Sequence, residues 1–234
     1  MTLSSLLVQL REYDAALLAN TLGYFDPTPA HELYMSRDIQ TVTPTLGPTV
    51  GVAATCQIDT SSPDGTTDMT AYWKQLGNIE QMEEPAIWVV QTVGSRPDHE
   101  CVIGDGMAKT LDSVGCIGTV TDGGVRDVEG LLSIPFAAYS RGVTVHHTAM
   151  RAKAIDTPVE IGGLTISPGD IIHASGEGVI RIPADSLEAL IEKAPKMRAA
   201  ENEAHALCRR QDVSLDEKRQ RVGEILAKHG FMVK

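Results

Sequence analysis

Eight consecutive residues, Ala86 to Val93 (AIWVVQTV), carry no charge and are dominated by β-branched and aromatic side chains. A run of that length and make-up reads as a buried strand and commits the chain to a sheet. Thr49 to Ile58 reads as a second strand. Between the two, Ser61-Ser62-Pro63-Asp64-Gly65 is a loop, and Asp68 is placed to cap a helix running to about residue 82. Strand, helix and strand in that order put the chain in the mixed α/β class.

The flanks extend this pattern. Leu6, Leu7, Leu10, Ala15, Leu17 and Leu18 fall at helical spacings, so residues 1–22 are expected as helix. Residues 23–48 hold six prolines or glycines and read as irregular chain with short extended pieces. From residue 136 the pattern turns β-rich, with PFAAYSRG, VTVHH, IIHA and VIRIP as extended runs and VEIGGLTI as a hairpin closed by Gly162-Gly163. Residues 184–211 and 215–229 are expected as helices, the second opened by a Ser214/Glu217 capping box and stopped by Gly230. No linker or fixed-period repeat divides the chain. It is expected to form one α/β domain over 1–234, with a core at about 44–183 and a C-terminal helical extension at about 184–234.

Composition limits the partners. A net charge of −11 sets most of the surface against a phosphate backbone, so nucleic acid is not expected as a partner. The cysteines, Cys56, Cys101, Cys116 and Cys208, lie far apart without zinc-ligand spacing and fit reduced thiols. The apolar runs near the N-terminus are broken by Gln9, Arg11, Glu12 and Asp14. No leader or membrane span is therefore expected, and the protein is expected to be cytoplasmic.

Two short segments carry candidate chemistry. Gly104-Asp105-Gly106-Met107-Ala108-Lys109-Thr110 has glycines and a Lys-Thr ending, but neither the Walker spacing nor GxGxxG. What remains is a glycine-flanked helix start, whose free N–H groups at Gly106 and Met107 suit a carboxylate ligand, with Asp105 readable as a plain helix cap. Asp122-Gly123-Gly124-Val125-Arg126-Asp127 follows a short strand, Cys116 to Thr121. Arg126 offers a planar fork for a carboxylate, and Asp127 offers hard oxygen for Mg²⁺ or Mn²⁺. Neighbours on a straight strand face opposite ways, so both can serve one site only if the chain turns there. Twenty residues separate Asp105 from Arg126, with a helix, Gly115 and a strand between them. Such a unit can bring both loops to one cleft. Lys109 lacks apolar neighbours that would make it a Schiff-base lysine and is expected on the helix surface. His146 and His147, read as strand neighbours, would point to opposite faces and could not both bind one metal; a structural role is expected, with one inward-facing His shaping a substrate pocket as the alternative.

With these motifs in view, the chain resembles the RraA-like family. That family includes 4-hydroxy-4-methyl-2-oxoglutarate/4-carboxy-4-hydroxy-2-oxoadipate aldolases and the regulator of ribonuclease activity A. The aldolase pattern of Asp, twenty residues, then Arg-Asp falls on Asp105 and Arg126-Asp127. PTLGPTVGVAATC, GCIGTVTDGGVRD, TPVEIGGLTISPGDIIHA and GEGVIRIP match as well, covering about residues 44 to 183. Departures are Ser175, where the family often has Asp, the segment 23–40, and VTVHH.

The resemblance implies a layered α/β/β fold like the swivelling phosphohistidine domains, assembled as a homotrimer or a dimer of trimers. It implies a class II pyruvate aldolase that cleaves a 4-hydroxy-2-oxo acid and can also decarboxylate oxaloacetate. It implies Mg²⁺ or Mn²⁺ on Asp127, Arg126 on the substrate and developing enolate, and Asp105 orienting or deprotonating a water that shuttles the proton. Glu203, or alternatively Glu201, would reach the metal surroundings of a neighbouring subunit. The rival readings are a protein-binding regulator without catalysis and a related metal-dependent lyase acting on another hydroxy acid.

Overall fold

The computed structural model describes residues 1–232. The chain opens with α1 (Leu3–Leu10) and α2 (Ala15–Phe25), followed by β1 (Gln40–Thr41), β2 (Thr49–Asp59), α3 (Thr70–Glu80) and β3 (Ala86–Thr92). Next come β4 (Cys101–Ile103), α4 (Asp105–Asp112), β5 (Cys116–Thr121), β6 (Gly124–Val125), α5 (Val128–Leu131), β7 (Ala137–Ser140) and β8 (Gly142–Val143). Five further strands follow: β9 (Arg151–Ile155), β10 (Val159–Ile161), β11 (Leu164–Ile166), β12 (Ile171–Ser175) and β13 (Gly178–Ile182). Two helices, α6 (Leu187–Cys208) and α7 (Leu215–Lys228), complete the order.

The main sheet runs β1-β7-β5-β3-β2-β12-β13, with β9 also paired to β2. β3 is its centre, parallel to both β2 and β5. Its alternating side chains serve two cores. Trp88 and Val90 pack with Tyr72, Leu76 and Ile79 of α3 and with Ala108 and Leu111 of α4. Ile87 and Val89 pack on the other face against Val159, Ile161, Leu164 and Ile166 of the β10–β11 hairpin. Helices, sheet and hairpin thus form the expected α/β/β layers. Trp88 is fully buried, and its indole N–H donates to Gln75 Oε1 at 2.8 Å. Emptying such a position is costly: Leu111→Ala in this core costs about 2–5 kcal/mol. At one end, Leu10, Leu18 and Leu22 of the N-terminal helices pack with Leu190 and Met197 of α6.

Several expectations need correction. Residues 1–22 form two helices, because Asp14 restarts the chain by accepting the Leu17 N–H at 2.8 Å. Asp68 lies one residue ahead of the α3 cap position, although its carboxylate accepts the Thr70 N–H at 3.0 Å. VTVHH is not a strand beyond Val143. The first expected C-terminal helix ends at Cys208 and begins as a short 3₁₀ turn at Ala184–Ser186. Half of the expected capping box forms: Ser214 accepts the Glu217 N–H at 3.2 Å, while the Glu217 carboxylate meets Arg221. Gly115, with φ of +92°, turns the chain from the end of α4 into β5.

Candidate active site

β4, β6 and β8 are two or three residues long and make a separate, wholly parallel sheet in that order. Parallel neighbours end on the same side, so the residues that follow each strand share one edge. β4 runs into Gly104-Asp105, β6 into Arg126-Asp127, and β8 toward His146-His147. The Arg126 N–H donates to the Ile103 carbonyl at 3.0 Å and ties the first two ends together. The twenty-residue separation is therefore the length of one helix-and-strand crossover, α4 plus β5, between neighbouring parallel strands.

These ends open on a cleft of about 360 Å³ whose walls include Asp105, Gly106, Met107, Arg126, Asp127 and His147. Asp127 has left-handed backbone angles, φ 54° and ψ 44°. The chain turns there, and so two consecutive side chains reach one cleft, as the sequence required. Arg126 Nε lies 3.5 Å from Asp127 Oδ2, with both side chains partly exposed. Asp127 stands at the cap position of α5 but makes no side-chain capping bond, which leaves its carboxylate to the cleft.

Glycines make room for both carboxylates. A Cβ on Gly104 would lie 2.5 Å from Asp127 Oδ2. One on Gly130 would lie 2.6 Å from Asp105 Cβ and 2.7 Å from its Oδ2. Asp105 is the first residue of α4, and Gly104 takes the cap position, so Asp105 is not the helix cap. Lys109 Nζ, one turn on, sits 2.5 Å from Asp105 Oδ2. That hydrogen bond, helped by the Lys109 charge and the Gly106 N–H, holds the Asp105 carboxyl below the usual carboxylate range. Lys109 is half-exposed on the helix surface, as expected. The first helical bond in α4 runs from the Ala108 N–H to the Gly104 carbonyl at 3.1 Å. The N–H groups ahead of it, at Gly106 and Met107, have no carbonyl partner in the helix. Cys101 also borders the cleft, and burial pushes its thiol up to about 11, so it stays protonated.

The histidines depart from expectation. They are not strand neighbours on opposite faces; their ring centroids lie 5.0 Å apart. His146 Nδ1 is 3.4 Å from the Arg126 guanidinium, and His147 lines the cleft. The signal for them was positional: they follow the third parallel strand as the other site residues follow the first two.

Other expected residues lie elsewhere. Glu203 accepts from Lys228 at 3.0 and 3.1 Å and faces His229 Nε2 at 3.0 Å, beside a cavity of about 400 Å³ between α6 and α7. Glu201 accepts from the Asn20 amide at 3.1 Å. Neither borders the cleft within this chain. Ser175 is buried and accepts the Ala15 N–H at 3.1 Å, so this departure from the family pattern ties α2 to the sheet. Among the described residues, no group of three or more His, Cys, Asp or Glu side chains forms a ready-made metal cage.

The chain is 30% identical over 174 residues, 63% of its own length and 80% of the relative's, to a candidate 4-hydroxy-4-methyl-2-oxoglutarate aldolase of Halalkalibacterium halodurans. Its fold matches an uncharacterized protein from Pseudomonas syringae pv. tomato with a TM-score of 0.70 at 22% identity, covering 94% of this chain and 95% of that one. It also matches Streptomyces coelicolor RraAS2, an unusual member of the RNase ES inhibitor RraA protein family, with a TM-score of 0.67 at 22% identity, covering 86% and 96%. Residues 18–181 match the Aldolase/RraA family profile, and the chain belongs to the RraA-like family.

Proposed function

We propose that the protein is a divalent-metal-dependent aldolase that cleaves a 4-hydroxy-2-oxo acid to pyruvate and a second carbonyl compound. The observation that carries this reading is the convergence of Asp105, Arg126 and Asp127 on one cleft at the ends of adjacent parallel strands. Oxaloacetate decarboxylation passes through the same pyruvate enolate and belongs to the same reading.

The donor set fits Mg²⁺ or Mn²⁺. Asp127 offers a hard carboxylate oxygen to the cleft, and such ions keep several waters while binding through one or two carboxylates. A closed zinc site would need three or four protein ligands. When bound, the cation supplies Lewis-acid polarisation of the 2-oxo group and offsets the substrate's negative charge. Arg126 holds the 1-carboxylate or 2-oxo oxygen through its planar fork and stabilises charge as the C3–C4 bond breaks. The Gly106 and Met107 N–H groups, at the positive end of α4, orient the carboxylate. Asp105, kept ionised beside Lys109, accepts hydrogen bonds from water and orients it.

The test is a screen of 4-hydroxy-2-oxo acids with coupled pyruvate detection. EDTA should abolish turnover, and Mg²⁺ or Mn²⁺ should restore it. A covalent adduct trapped by borohydride would place the chemistry on a lysine and overturn the reading. Pyruvate release also separates this reading from a regulator that acts by binding a ribonuclease, which would bind in a pull-down and release none.

A further inference from the structure

Cleavage must take a proton from the substrate's C4 hydroxyl and later deliver one to C3. Asp105 is poorly suited to both, because Lys109 sits 2.5 Å from its Oδ2 and favours the ionised form. We infer that His147 carries this proton, an inference that rests on the aldolase reading above.

The two histidines are held in opposite tautomers. His147 Nδ1 lies 2.6 Å from the Thr148 carbonyl oxygen. A carbonyl only accepts, so Nδ1 carries the hydrogen and the neutral ring has its lone pair on Nε2. His146 Nδ1 faces the Arg126 guanidinium at 3.4 Å. A guanidinium only donates, so His146 accepts at Nδ1 and carries its hydrogen on Nε2. Of the two rings, His147 is the one with a free basic Nε2, and it is the one that lines the cleft with Arg126 and Asp127.

The segment bearing it is tethered at both ends. The Thr144 N–H donates to the Val125 carbonyl at 2.9 Å, fixing the start of the segment to β6. The Thr148 N–H donates to the Thr60 carbonyl at 2.8 Å, and its hydroxyl donates to the Ser62 carbonyl at 3.0 Å. Thr60 is itself held by buried Glu100, which accepts its N–H at 2.7 Å and its hydroxyl at 2.5 Å. Such support limits the reorganisation a proton-transfer group would need.

In the step assigned to it, the C4 hydroxyl proton moves to Nε2, and the O–H electron pair becomes the second bond of the product carbonyl. The C3–C4 pair passes into the C2–C3 bond to give the pyruvate enolate. C3 then takes the proton back from the imidazolium, which leaves a neutral ring and the methyl group of pyruvate.

The test follows exchange of pyruvate methyl protons in D₂O by NMR, on full-length protein with Mg²⁺ added, alongside cleavage of the best substrate from the screen. His147→Gln keeps a polar side chain but cannot cycle a proton. It should slow both exchange and cleavage by about a hundredfold, the scale of general acid–base catalysis. His147→Ala should regain part of the exchange on addition of free imidazole. Wild-type exchange in a folded His147→Gln protein, or no response of His147→Ala to imidazole, would overturn the inference and leave the aldolase reading standing. A wild-type protein that neither cleaves nor exchanges would overturn both.

Discussion

At the scale of single residues, the site depends on one turn and two missing side chains. A left-handed non-glycine residue costs on the order of 1–3 kcal/mol, and Asp and Asn tolerate that conformation best. At Asp127 it turns two adjacent letters into two groups of one cleft. Gly104 and Gly130 supply the space. Gly104→Ala should push the Asp127 carboxylate aside, weakening Mn²⁺ binding, which electron paramagnetic resonance titration reads, with little change in circular dichroism. Binding at wild-type affinity would show that the close approach is incidental. Arg126→Ala should lower turnover by about a hundredfold, or about 3 kcal/mol in the barrier. Arg126→Lys should recover only part of it, since an ammonium lacks the planar fork. Steady-state kinetics with a circular dichroism control checks both, and near-wild-type turnover in each would reduce Arg126 to a surface pairing. Arg126 and Asp127 were legible in the sequence because their chemistry lies in the residues themselves. The part of Gly104 and Gly130 was not, because each makes room for a residue more than twenty positions away.

Among the elements, long apolar runs were legible and short ones were not. β2 and β3 were readable because buried β-branched runs leave few alternatives. β4, three residues long, and β9, whose residues are all partly buried or exposed, carry no such pattern. VTVHH misled because its alternation continues past the point where β8 ends. Read as a strand, the segment did not show which histidine borders the cleft: a two-residue strand is fixed by its parallel neighbour β6 and not by its own residues. The α1–α2 break, unseen when residues 1–22 are read as helix, falls at Asp14, and it is held to the sheet by His173 of β12, whose Nε2 donates to the Tyr13 carbonyl at 2.9 Å. Burial, the main effect, pushes the His173 imidazole below its ordinary range. Above about pH 6.5, the ordinary imidazole value, the ring is neutral in both folded and unfolded chains. Below it the unfolded chain takes up a proton that folded His173 resists, so stability falls as pH falls. Thermal denaturation from about pH 7 to pH 5 should therefore lower Tm more in wild type than in His173→Gln, which retains a donor for Tyr13. Equal slopes would remove His173 from the account.

For the molecule as a whole, no described helix is long and apolar enough to cross a membrane. The cleft lies open, and the carboxylate expected from a neighbouring subunit is engaged at home: Glu203 is held by Lys228 and His229. If it serves a second copy's cleft, it must exchange those partners on assembly. Light scattering should then give a trimer or a multiple of three, and a fully active monomer would rule out a shared site. A different consequence concerns synthesis. β2 lies next to β3 on one side; its other edge is covered by β9 at Cys56–Asp59 and by β12 at Thr49–Val52, and β12 begins more than a hundred residues later. At roughly 5–20 residues per second, a ribosome leaves that edge uncovered for on the order of 10 seconds. During that interval Val50, Val52 and the adjoining backbone of a strand that ends almost wholly buried are open to any extended chain nearby. The newly made protein is thus most exposed to aggregation before translation of β12, and a slowed ribosome upstream of residue 171 would lengthen that exposure.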